Sequence, residues 1–181
     1  MDDVLARPQA GEFDRFYTEY VNLIPDGVDP RDVLRDQLRA LPGLMITVSE
    51  DRAEYRYSEG KWSIKEVVGH LCDTERILGY RFLRIVRGDE TSLPGFEENE
   101  YVSAGHFDAR ALGDLVSEWE AARHSTLALV ESTDPDVLNN RTVANDVPIS
   151  ARALLFIVPG HTQHHLEILR TRYGVGGGGG S

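Results

Sequence analysis

The sequence predicts an all-α fold, a four-helix bundle with long connections between its helices. Three observations carry that expectation. Apolar residues recur at three- and four-residue spacings through four segments of roughly 20 residues each. Recognisable caps or prolines open and close these segments. Alternation of the strand type is almost absent, and only a short piece such as Arg52 to Tyr57 is able to extend.

The elements follow in order. Near Phe13 to Leu23 a short segment carries Phe13, Phe16, Tyr17 and Tyr20 at helical spacing, a stripe expected to pack on the core. Asp29-Pro30 reads as an N-cap followed by a proline in the first turn, and Leu34, Leu38, Leu41, Met45 and Val48 continue one face. Pro42-Gly43 is expected to kink or split that helix. Ser63-Ile64-Lys65-Glu66 is a capping box, with Val67, Leu71, Leu78, Phe82 and Ile85 behind it until Arg87-Gly88. Thr91 to Phe107 reads as a loop whose acids Glu97, Glu98 and Glu100 face solvent, though one of them could overhang a site. Asp108 is expected to cap the third long helix, with Leu112, Leu115, Val116, Trp119, Ala122 and Val130 inward until Asp134-Pro135. After a polar connection from Asp136 to Pro148, Ser150 caps the last helix, which should run to about Tyr173.

Composition bounds the function. The chain has 181 residues, 41% hydrophobic and 27% charged, which suits one folded domain over residues 1–173. Residues 174–181 are rich in glycine and read as a disordered tail or linker. A net charge of -11 repels a phosphate backbone and an anionic bilayer alike, and the scattered arginines form no basic patch. Neither nucleic acid nor a membrane is therefore expected as a partner. The single cysteine, Cys72, allows no internal disulfide and fits a reducing compartment. No run of about 18 apolar residues is present, and Met1 to Gly11 lacks the apolar centre of a signal peptide, so a cytoplasmic location is expected.

The histidines are the chemical candidates. His161 and His165 are four apart, so their side chains leave one helix about 40° apart and a turn displaced. Two imidazoles so placed can grip one cation, and they fit surface or dimer-interface histidines equally well. Pro159-Gly160 precedes them inside a strongly apolar stretch, where the proline frees the carbonyl of Leu155 and the glycine permits close approach. His70 lies on the flank of the second helix that also carries Thr74 and Ile77. Alone, it fits a histidine bonding between helices. Converging, the three exceed what packing requires and match an open arrangement of three protein ligands. Cys72 points away from His70 and reads as a small core residue. His164 is assigned a supporting or surface role, and His106 and His124 are assigned to solvent. The glutamate of a zincin helix is missing from His161-Thr162-Gln163-His164-His165, and no GxSxG or GxxxxGK[ST] motif occurs. The metal would then be the main chemical asset, lowering the pKa of a bound water or thiol.

Three stretches together resemble the DinB/YfiT superfamily and its YfiT-like branch. They are Gly60-Lys61-Trp62-Ser63-Ile64-Lys65-Glu66 running on to Gly69-His70-Leu71-Cys72-Asp73-Thr74-Glu75; Leu93-Pro94-Gly95-Phe96 with Asn99-Glu100-Tyr101; and Pro159-Gly160-His161-Thr162-Gln163-His164-His165-Leu166. The similarity extends over roughly Phe13 to Tyr173. It implies a four-helix bundle, commonly dimeric, whose divalent ion is held by one histidine of the second helix and two of the last. Those positions fall on His70, His161 and His165. Some members resemble S-transferases that use a low-molecular-weight thiol such as bacillithiol or mycothiol, and others carry only the label of metal-dependent hydrolase. Leu41-Pro42-Gly43-Leu44 departs from the uninterrupted helix usual there, which touches the shape of the pocket's far wall. The resulting expectation is a homodimeric metalloenzyme in which zinc or nickel turns a small thiol into a thiolate that attacks an electrophile. Hydrolysis by a metal-activated water and a non-catalytic, metal-dependent stress module are the alternatives.

Overall fold

The structure, a computed structural model, describes residues 5–176. Most of the glycine-rich run and the first four residues of the Met1 to Gly11 stretch lie outside the described residues. A 3-10 turn at Arg15–Tyr17 leads into α1 (Thr18–Asn22), followed by α2 (Pro30–Met45), α3 (Glu50–Ala53), α4 (Ile64–Val86) and α5 (Glu98–Gly105). Then come α6 (Leu112–Glu131), a hairpin of β1 (Arg141–Ala144) and β2 (Val147–Ser150), and α7 (Ala151–Thr171). The four long helices make the bundle: α2 and α4 each pack against both α6 and α7. No helix among the described residues is long and apolar enough to cross a membrane.

Local chemistry fixes the helix starts. The Asp29 carboxylate accepts from the Arg31 amide at 2.8 Å, with Pro30 occupying the first turn where an amide would be orphaned. Ser63 and Glu66 close both halves of the capping box, at 3.0 and 2.7 Å. The Ser150 hydroxyl accepts from the Ala153 amide at 3.0 Å. The same hydroxyl donates to the buried Glu12 carboxylate at 2.7 Å, tying the N-terminal segment to the head of α7.

Several connections differ from the sequence expectation. Asp108 does not cap the third long helix. It sits in a 3-10 turn, accepting from the Ser63 hydroxyl at 2.5 Å and from Arg56 at 2.7 Å, and α6 begins only at Leu112. Glu50 of α3 supplies the missing cap by accepting from the Leu112 amide at 2.9 Å. The stretch from Arg52 to Tyr57 is not extended, because Ser49 caps α3 and draws Arg52 and Ala53 into it. Within the acidic loop Glu98–Gly105 forms a helix that buries Val102 and ends at His106 in the left-handed region (φ 47°). The connection before α7 is a tight hairpin whose two turn residues, Asn145 and Asp146, both have positive φ, as a type I′ turn requires. Past α7, Val175 packs into the core and its amide donates to the Leu169 carbonyl at 3.0 Å.

Neither internal proline splits its helix. α2 runs through Pro42 and α7 through Pro159. Each proline costs about 3 kcal/mol in an isolated helix. Here buried side chains on both sides, such as Leu41 and Leu44 in α2, supply the packing that keeps each helix continuous.

The bundle core comes in two apolar halves. One gathers Leu34, Leu78, Phe82, Leu127 and the Leu154 to Val158 run; the other gathers Leu41, Val67, Leu71, Trp119, Leu166 and Leu169. Between them, at mid-height of all four helices, lies a buried polar layer of Gln37, Glu75, Arg123 and Thr162. The histidines border that layer.

Candidate metal centre

α4 and α7 bring His70, His161 and His165 together. Each ring offers a nitrogen within 4.8 Å of the others, and all three residues are buried. The Nε2 atoms of His70 and His161 lie 3.0 Å apart. His161 and His165 face the same side because they are one turn apart on α7, their ring centroids 4.6 Å from one another. Gly160 makes this possible from behind. A Cβ there would come within 2.0 Å of the Tyr20 carbonyl oxygen, so the glycine lets α1 cross α7 at close range.

Aromatic rings wall the trio. Trp62 lies against His70 with centroids 4.8 Å apart and is stacked at 6.5 Å on His165. Tyr20 presents an edge to His161 at 5.4 Å, and its phenol is pushed up to about 12 by burial and then by the nearby Glu98 charge. The stripe expected on the core is therefore partly a site wall; Phe16 is 64% exposed at its outer end. Thr74, one turn along α4, holds its hydroxyl 3.5 Å from Nδ1 of His70, which leaves Nε2 of that ring facing His161.

Beneath the trio runs the polar layer. Arg123 is fully buried and grips Glu75 through two bonds of 2.9 and 2.8 Å. It also donates to Gln37 at 2.7 Å and to the Thr162 hydroxyl at 2.8 Å. Gln37 in turn donates to the Pro159 carbonyl at 2.8 Å. α2, α4, α6 and α7 are thus cross-tied within one turn of His161.

The electrostatics keep the three rings neutral. Burial drives His70 down to about 4, with His164 adding to the effect. His161 and His165 are held well below the usual histidine range, first by burial and then by neighbouring imidazoles; Arg123 adds to the effect on His161. A neutral imidazole is the form that offers a lone pair to a metal. Nδ1 of His165 is buried and meets no hydrogen-bond partner among the described residues. Tetrahedral coordination at about 2.0–2.1 Å puts ligand nitrogens roughly 3.3 Å apart, close to the spacing of the His70 and His161 nitrogens. The trio fits a divalent cation.

The remaining candidates stand apart. Cys72 is buried against the Leu115 carbonyl of α6 at 3.4 Å, its thiol pushed up to about 12 by burial. His164 is half-buried against Tyr20 and His165, outside the trio. His106 and His124 are exposed. Glu97 and Glu100 are exposed, whereas Glu98 is half-buried and held above the usual carboxylate range, chiefly by burial.

Two cavities flank the trio. One of about 300 Å³ is reached past Tyr17 and Tyr20 and has His161 in its wall. The other, about 280 Å³, lies past Trp62 and Lys61 and has His165 in its wall. Glu98 and Asn99, at the start of α5, line both.

A family model described as the DinB superfamily matches residues 33–169, which include all three histidines. The chain belongs to the DinB superfamily. No curated protein matches it in sequence. Among solved structures the DinB bundle seen here is similar to YfiT from Bacillus subtilis, described as a probable metal-dependent hydrolase with an unusual four-helix bundle topology. The match has a TM-score of 0.67 at 15% identity and covers 91% of this chain and 92% of that one. At that identity the likeness carries the bundle topology, and the chemistry has to be argued from the residues.

Proposed function

We propose that this DinB-superfamily chain is a metalloenzyme in which His70, His161 and His165 hold zinc or nickel. The observation that carries the reading is three neutral, buried imidazoles converging between two cavities. Three neutral ligands leave the full charge of a cation on the site and a coordination position open, which favours an anionic fourth ligand. A cation held there lowers the pKa of a thiol or a water, the chemistry of thiol transfer to an electrophilic small molecule.

The chain's own residues prepare that position. Thr74 occupies the Nδ1 side of His70 and leaves Nε2 toward His161, and the Arg123 layer holds α7 through Thr162 so that the His161 ring is preorganised. Trp62 and Tyr20 keep bulk water from the imidazoles. The buried Cys72 thiol has no part in it, so the nucleophile comes from outside the chain.

The test is conjugation of bacillithiol or glutathione to a model electrophile, before and after chelation, in untagged protein. Loss of the reaction on chelation and its return with zinc or nickel support the reading. Equal rates in both samples reject it. Hydrolysis is the second reading, favoured by the likeness to YfiT and by the half-buried Glu98 beside the trio as a proton acceptor. Product analysis separates water addition from thiol addition. An ion that merely ties two helices together, the non-catalytic alternative, accounts for neither cavity. The homodimer and cytoplasmic location belong to the same proposal, and sedimentation of the untagged chain tests the former.

A further inference from the structure

The cavity beside His161 has in its wall an arginine that no carboxylate among the described residues grips. Arg81 is 3% exposed, yet among the described residues it forms no ion pair and makes one hydrogen bond, from Nη2 to the Pro94 carbonyl at 2.8 Å. A guanidinium presents five N–H donors, and since none of the Arg81 nitrogens is among the buried atoms left without a partner, those that no protein acceptor meets are open to the cavity. The fully buried Arg123 shows the usual remedy, a carboxylate gripped by two bonds. Arg81 has no such counter-ion, and its side chain lines the cavity.

The placement is systematic. Thr74, Leu78 and Arg81 follow His70 along α4 at four, eight and eleven residues, which keeps all of them within about 80° of one face. Eleven residues advance the axis by about 16 Å. Arg81 and His161 nevertheless line the wall of the same cavity. Asn145, at the left-handed tip of the hairpin, and Asn99 add neutral polar groups to the same wall. Asn145 is seated so closely against Gly95 that a Cβ there would lie 2.0 Å from its Oδ1. Glu97 and Glu98 also line the cavity, which disfavours a polyanion.

Resting on the metalloenzyme reading and deepening it, we propose that the substrate carries a carboxylate and that Arg81 binds it, with Tyr17 and Tyr20 flanking the body of the molecule. A single unpaired guanidinium matches a single planar monoanion in charge and in its forked geometry.

The test titrates benzoate into the full chain, both zinc-loaded and after chelation, following the Nε–Hε NMR signal of Arg81. Benzamide, the neutral isostere, and inorganic phosphate are run beside it. Benzoate is expected to shift that signal saturably in both forms, and benzamide to leave it in place. Arg81→Gln should weaken benzoate binding about tenfold or more, read from the Asn145 side-chain amide, with Arg81→Lys in between. Equal binding of benzamide, an unchanged affinity in Arg81→Gln, or no response to benzoate overturns the proposal, and tighter binding of phosphate overturns the choice of a carboxylate. If Arg81→Gln does not fold, the benzoate and benzamide comparison on the parent chain decides. The chelated arm separates this inference from the metal reading, because it stays readable if the histidines bind no ion.

Discussion

Gly160 of α7 and the carbonyl of Tyr20 in α1 touch at a distance that admits no side chain. In an open helix, glycine to alanine gains about 1 kcal/mol. Here the added methyl would meet a backbone atom at 2.0 Å, so the sign reverses. Gly160→Ala is expected to destabilise the chain by about 1–3 kcal/mol in urea unfolding and to move the Tyr20 ring off His161.

Zinc binding should raise thermal stability, since the three imidazoles meet only in the folded chain. At a free concentration of a hundred times Kd the gain is about 2.7 kcal/mol. Differential scanning calorimetry should show the rise in the parent chain and its near absence in His161→Ala or His70→Ala, with helical circular dichroism retained. A rise as large in those variants would place the ion elsewhere.

The Arg123–Glu75 pair supports a double-mutant test. Arg123→Met strands the Glu75 charge in the interior and should cost about 3–5 kcal/mol in urea unfolding. Adding Glu75→Leu removes the stranded charge and should recover much of the loss. If the double variant is no better than the single, the layer is held by Gln37 and Thr162 instead.

Glu12 gives a pH dependence. Burial pushes its carboxyl up, but Arg152, the Gln9 amide and the Ser150 hydroxyl together bring it below its ordinary 4.5. A carboxylate held below its unfolded value stabilises the fold above about that pH, and the contribution fades as pH falls through the lowered folded value. Glu12→Gln should therefore cost about 1.5–3 kcal/mol at neutral pH, with the gap to the parent chain closing below pH 4.5. Urea midpoints at neutral and acidic pH measure it.

The long helices and the His161–His165 pair are legible in the sequence because both rest on periodicity, whereas His70 joins them through its place on the flank of α4 and through the family resemblance. Val67, Leu71 and Leu78 mark one face of α4, and a four-residue interval sets His161 above His165 whatever the surroundings. Short elements were not legible, because tertiary contacts decide them. Asp108 has the chemistry of a cap, but Ser63 and Arg56 claim its carboxylate first. Asn145-Asp146 is a weaker turn signal than Asn-Gly, so the sequence there reads as a polar connection.

The polar layer did leave a trace in the sequence. Glu75 lies four residues after Leu71 and three before Leu78, and Arg123 four after Trp119, so each interrupts an apolar face with opposite charge. Two such interruptions on separate helices predict a buried pair. Arg81 left no comparable trace, since its isolation depends on what the loop at Pro94 does and does not offer.

With one cavity lined by Tyr17 and His161 and another by Trp62 and His165, the histidines border two separate spaces. Under the proposed thiol transfer, a thiol and an electrophile using different cavities would not compete for one doorway. Either could arrive first, and steady-state kinetics would then give intersecting rather than parallel lines. α5, whose first residues border both cavities, is where a change of sequence would alter which reactants are admitted.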